Sequence, residues 1–159
     1  MTNRIASEQA VEHAWKYFEL HSNQRIMMFN YYLFIMTGLA TAIGVTLQTS
    51  KNFAYVGILL SIIAVIASMV FWKLDQRTSF LIKQSEAVFK KLERNSAIDI
   101  GIFCNEEANL EKSNEKRFFL NKIVTYGTLF RSIFIISGGV GALGIIVFFL
   151  IITEYIILK

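Results

Sequence analysis

Two histidines are the first residues to test for chemistry. His13 and His21 stand eight positions apart, about two turns on a helix, too far for both to bind one metal ion, and the chain holds no third. They read as surface or packing histidines. Cys104 is the single cysteine, so no disulfide forms within the chain. With no histidine nearby and Ile and Phe around it, it reads as a small buried hydrophobe, not a nucleophile. The glycines at 138, 139, 141 and 144 sit inside an apolar run, whereas a phosphate-cradling loop needs them between a strand and a helix. No catalytic set, metal site or cofactor emerges, and the chain is read as not an enzyme.

The charged residues leave one binding chemistry open. Lys83, Lys90, Lys91 and Arg94 gather in one segment, and Lys112, Lys116, Arg117 and Lys122 in the next. The stretch 73–131 holds eleven basic and eight acidic residues, a net +3. Helical faces of both signs are ordinarily just solvated. The alternative is a phosphate-bearing ligand neutralised by Lys83, Lys90, Lys91 and Arg94, with Lys112, Lys116 and Arg117 as a second group, repeated around a symmetry axis. Phe89 and Phe103 are the nearest aromatics for stacking a base, though both read as core. Asp75 either pairs with Arg25 across a helical hairpin or faces water independently.

These residues must be positioned by helices in a bilayer. Only 18% of the 159 residues are charged and 54% are hydrophobic, against about a quarter charged in a soluble domain. Three stretches free of Asp, Glu, Lys, Arg and His are long enough to span: Ile26 to Leu47, Ala54 to Trp72 and Ser132 to Ile152. The first begins too late and runs too long for a cleaved signal and is read as an anchor. Because eleven of sixteen Lys and Arg fall in 73–131, that segment and the N-terminus are placed in the cytoplasm, and the turn at Lys51 and the C-terminal Lys159 outside. Tyr31, Tyr32, Phe71, Trp72 and Tyr126 mark the cytoplasmic edge.

The expected organisation is all-α. Residues 1–25 carry an amphipathic helix starting at Ser7, its stripe of Val11, Ala14, Trp15 and Phe18 seeking another helix. A hairpin of two spans fills 26–72. Residues 73–131 form a helical stalk and head in which the second span continues unbroken to Arg94, with Leu74, Leu81, Val88 and Leu92 as its apolar seam. Residues 95–107 are a folded connection turning at Gly101, with Ile98, Ile100, Ile102 and Phe103 plugging the bundle. Helix resumes at Asn109 through Phe118 and Phe119 and runs straight into the third span, within 132–159.

Small residues flatten two span faces: Gly138, Gly141 and Gly144 on the third, Gly38 and Ala42 on the first. In lipid, such faces let helices attract by close approach. Packing between protomers and packing within one both use them. The absence of charge inside the spans argues against a coupled transporter and suits a passive conduit or a structural bundle.

The amphipathic helix with Trp15 and Phe18, Gln24 and Arg25 opening the hairpin, Leu74, Asp75, Gln76 and Arg77 leaving it, and Lys91, Leu92 and Glu93 closing the charged helix together resemble small bacterial membrane effectors found beside nucleotide-signalling genes in anti-phage defence. In size and layout the chain is similar to the membrane effector of Hailong-type systems, and secondarily to SLATT-type effectors. That resemblance implies a homotetrameric ion channel of the inner membrane, controlled by single-stranded DNA from a partner nucleotidyltransferase and depolarising the infected cell. A non-conducting scaffold or sensor subunit is the other reading of the same residues.

Overall fold

The computed structural model describes residues 2–95, 101–118 and 121–155, with side chains from residue 8 onward. Every regular element among them is helical: α1 (Thr2–Gln48), a 3-10 turn (Lys51–Phe53), α2 (Ala54–Arg94), α3 (Glu106–Glu115) and α4 (Tyr126–Ile152). Three of these helices are long and apolar enough to cross a membrane. Ile98, Asp99, Ile100, Phe119 and the C-terminal Lys159 lie outside the described residues.

Helix lengths follow from what the sequence lacks. No proline occurs in the chain and no glycine before Gly38, so nothing interrupts the backbone ladder between the amphipathic segment and the first span. The helix expected to start at Ser7 therefore runs through that position, one 47-residue element from Thr2. α2 likewise continues for 41 residues through the end of the second span to Arg94. The expected unbroken helix from Asn109 into the third span is corrected: α3 stops at Glu115 and α4 starts at Tyr126. Asn114 explains the stop, because its side-chain amide donates to the Ile123 carbonyl at 3.0 Å and accepts from the Ile123 N–H at 2.8 Å. A short polar side chain thereby supplies the backbone partners that a continued helix would have given.

The chain forms two compact units, one of Met1–Arg25 with Arg77–Tyr126 and one of Ile26–Gln76 with Gly127–Lys159. In the second, Phe29 stacks on Phe130 with ring centres 3.9 Å apart, and Tyr32 meets Phe134 edge-on at 4.7 Å. Tyr32 is fully buried between helices, its hydroxyl sharing a 3.0 Å hydrogen bond with Ser68. A second cluster joins Ala54, Phe148 and Ile151. Between the clusters the small residues do their work within one chain. A Cβ on Gly138 would meet Ser68 at 3.3 Å, one on Gly141 would meet Val65 at 3.0 Å, and one on Gly144 would meet the Ser61 hydroxyl at 2.6 Å. Close backbone approach replaces the hydrophobic drive that lipid does not provide. Gly57, unremarked in the sequence, has the same role, for a side chain there would collide with the buried Phe148 ring.

The interior register of α2 also departs from expectation. Leu74 and Val88 are 42% and 44% exposed, while the buried positions include Ser61, Ala64, Ser68, Asp75, Thr78, Ile82, Ser85 and Phe89. The seam is one residue round from the leucine heptad and mostly small or polar. Ser68 and Ser85 return their hydroxyls to the carbonyls of Ala64 and Leu81, which removes the penalty for burying them.

Candidate functional site in the charged helical unit

The unit built from 1–25 and 77–126 contains all seven residues proposed for an anionic ligand, so its local structure decides which of them are available. Its centre is aromatic. Trp15 and Phe18 on α1 approach Phe89 on α2 at 6.0 Å each, Phe18 approaches Phe103 at 6.1 Å, and Phe89 stacks on Phe103 at 4.8 Å. The Trp15 and Phe18 part of the amphipathic stripe thus meets another helix, while Val11 is 40% and Trp15 49% exposed. Phe103 reaches this cluster because Gly101 takes a positive φ of 60°, a conformation open to glycine without steric cost. Of the connection's expected plug residues Phe103 is inside, while Ile102 is 66% exposed.

Glu93 holds that turn in place, a role the sequence did not disclose. Its carboxylate accepts the Phe103 N–H at 3.0 and 3.1 Å and the Cys104 N–H at 2.8 Å. Desolvation raises its pKa, and the backbone donors outweigh that, so the group sits below the usual carboxylate range. Cys104 is half-buried and donates its thiol to the Lys90 carbonyl at 3.4 Å. It is a packed small side chain. The only sequence signal for Glu93 was an acid in the last turn of a helix, where the helix dipole disfavours it; the amides of the following turn are what compensate.

The basic residues divide by what they already touch. Lys90 is 3.6 Å from Glu107, and Arg117 donates to the carbonyls of Ser113 at 3.1 Å and Asn121 at 3.4 Å. Lys83, Lys91, Arg94, Lys112 and Lys116 are exposed. Lys83 and Lys90 have acidic company: Glu86 has its pKa raised first by burial and then by Glu106, with Lys90 and Lys83 opposing. Lys91, Arg94, Lys112 and Lys116 are therefore the charges with most freedom to meet an outside anion. His21 bonds Gln24 at 3.2 Å and packs on Tyr17. Among the described residues no group of three His, Cys, Asp or Glu could hold a metal ion.

In the spanning unit the polar residue of consequence is Asp75. It is 3% exposed and forms an ion pair with Arg131 of α4 at 3.5 Å. Arg131 was counted in the sequence only as the last basic residue of the middle segment. Here it ties α4 to α2 just outside the apolar runs. At the far end Lys51 reaches Glu154 at 2.6 Å.

Fold and site together define an all-helical membrane protein with a charged helical unit and three helices able to span. The chain belongs to the octameric membrane protein family, which matches residues 8–155. It is similar to CD-NTase-associated protein 19 of Escherichia coli, with 40% identity over 139 residues, 85% of this chain and 87% of the relative. By its name that relative is an associate of a CD-NTase, not the nucleotidyltransferase itself. No solved structure matches. The family's description gives eight subunits in place of the four that the resemblance implies.

Proposed function

We propose that the protein is a membrane effector of bacterial anti-phage defence, a homo-oligomer of eight subunits that opens a pore in the inner membrane when a nucleotide or oligonucleotide made by a partner nucleotidyltransferase binds its charged unit. The observation that carries this reading is the 40% identity to a CD-NTase-associated protein over most of both chains. Family membership supports the assembly, and uncharged spans suit passive flux better than coupled transport. The ligand surface is the basic band of Lys83, Lys90, Lys91 and Arg94 with Lys112, Lys116 and Arg117, of which Lys91, Arg94, Lys112 and Lys116 contribute most. Eight copies bring each modest cluster to one height around an axis and so concentrate the charge. The N-terminus and the charged unit lie in the cytoplasm, with Lys51 and the C-terminus outside, following the excess of basic residues in 73–131.

Flux of a small cation from liposomes holding purified protein tests this, with cyclic dinucleotides or short single-stranded DNA added. Signal-dependent flux is expected, together with toxicity on expression beside the active nucleotidyltransferase. A protein that binds these signals yet passes no ions is a sensor or scaffold, and the pore reading is then abandoned.

A further inference from the structure

The first span has a face that its own chain leaves uncovered. Asn30, Phe34, Thr37, Thr41, Gly44 and Gln48 recur at spacings of four, three, four, three and four, which places them on one side of α1. Asn30, Thr37, Thr41 and Gln48 are exposed, Phe34 is 80% exposed, and Gly44 would meet nothing within 4 Å. The opposite side of the helix carries Tyr32, Met36 and Ile43, which pack into the cores of the spanning unit. α1 is also the least covered of the spanning helices, with 6% of its most apolar window buried against 28% and 17% for the others.

Composition separates this face from the rest of the helix. Apart from tyrosines, the polar residues of the first span are Asn30, Thr37, Thr41 and Thr46. Thr46 is buried, and the other three all fall on the uncovered face. Thr37 and Thr41 return their hydroxyls to Leu33 and Thr37 carbonyls at 2.8 and 2.9 Å, while the Asn30 amide, near the end of the span, has more hydrogen-bonding capacity than acyl chains can meet. A face with polar groups along its length, no charge and one bulky apolar residue suits contact with water inside an assembly better than contact with acyl chains.

On the pore reading above, we propose that this face of α1 lines the passage, with Asn30, Thr37, Thr41 and Gln48 forming successive polar rings and Phe34 the narrowest one. Eight helices about 9 Å apart enclose a lumen about 12 Å wide between average side-chain envelopes. Small side chains at 37, 41 and 44 widen it, and eight phenyl rings at 34 narrow it into a hydrophobic constriction able to close by dewetting. With no charge on the face, the passage conducts with little preference among small ions.

The test uses purified full-length protein in planar bilayers, with cyclic dinucleotides and short single-stranded DNA supplied on each side in turn. Thr37→Cys and Thr41→Cys are made in a Cys104→Ser background, with Leu143→Cys on α4, 62% exposed, as control. A charged membrane-impermeant methanethiosulfonate should cut the current of both threonine variants at least threefold and leave the control unchanged. Phe34→Ala, which needs no thiol chemistry, should raise unitary conductance about twofold. Currents that persist unmodified at both 37 and 41 overturn the assignment of α1 while leaving the pore in place. Silence of the wild type under every condition removes the pore reading and this lining with it.

Discussion

Single side chains bear on stability most clearly where a charge is taken out of water. Asp75 has 4% of its side chain exposed, and its partner Arg131 has 43%. Removing one member of a fully buried pair costs about 3–5 kcal/mol because the other charge is stranded. Arg131→Ala takes one partner from the buried carboxylate, so it should lower the unfolding free energy in detergent by about 2 kcal/mol. Asp75→Ala should cost less, since the guanidinium it leaves can turn to solvent, and the two midpoints read against the wild type check that order. Glu93 makes a pH-dependent prediction. Its folded pKa lies below the ordinary value, so its contribution is complete above the unfolded pKa and is lost as pH falls through the lower folded one. Hydrogen-exchange protection of the Phe103 and Cys104 amides should be flat from neutrality down to the usual carboxylate range and fall only below it. Glu93→Gln should show weak protection at every pH.

At the scale of elements, the glycines of α4 now separate two questions that the sequence left joined. Gly141 faces Val65 and Ser61 of its own chain, whereas Gly139 and, on α1, Gly38 have nothing within 4 Å. Gly141→Leu should therefore force α4 from α2 and lower the thermal midpoint of the protomer by several degrees. Gly139→Leu and Gly38→Leu should leave that midpoint unchanged, and whichever of them shifts the mass of the solubilised particle marks a face between protomers. The spans themselves were legible because uncharged runs of about 20 residues have few alternatives to crossing a membrane. The register of α2 was not. Leu74, Leu81, Val88 and Leu92 match a coiled-coil seam by type, but close approach favours small residues, so Ser61, Ser68, Thr78 and Ser85 take the inner face, and Ser68 and Ser85 satisfy their hydroxyls on their own helix. Hydrophobicity does not report how near two backbones come. The stop after Glu115 was hidden for a related reason, since it rests on Asn114 meeting Ile123 nine residues on, a pairing no periodicity encodes.

For the whole molecule, the charged unit's local chemistry decides how a ligand would be held by the assembly. The sequence showed two basic clusters amid acids, and only the folded unit shows that Lys90 already faces Glu107 and that Arg117 caps its own turn. Lys91 and Arg94 close α2 and are exposed, so in a ring they contribute two free charges per subunit, sixteen in an octamer. Charges gathered this way bind phosphates mainly by releasing condensed counterions, so the logarithm of affinity for single-stranded DNA should fall with the logarithm of salt by about 0.7 per phosphate neutralised. A Lys91→Glu, Arg94→Glu double variant should lose at least tenfold in affinity at low salt and flatten that slope. A Lys90→Gln variant should lose less affinity than Lys91→Gln, because the Lys90 charge is already partly met by Glu107. Fluorescence anisotropy of a labelled oligonucleotide and of a cyclic dinucleotide across a salt series, on particles whose mass has been measured, reads both quantities. Equal slopes for the double variant and the wild type would move the ligand off the end of α2 and leave Lys112 and Lys116 on α3 as the basic surface to examine.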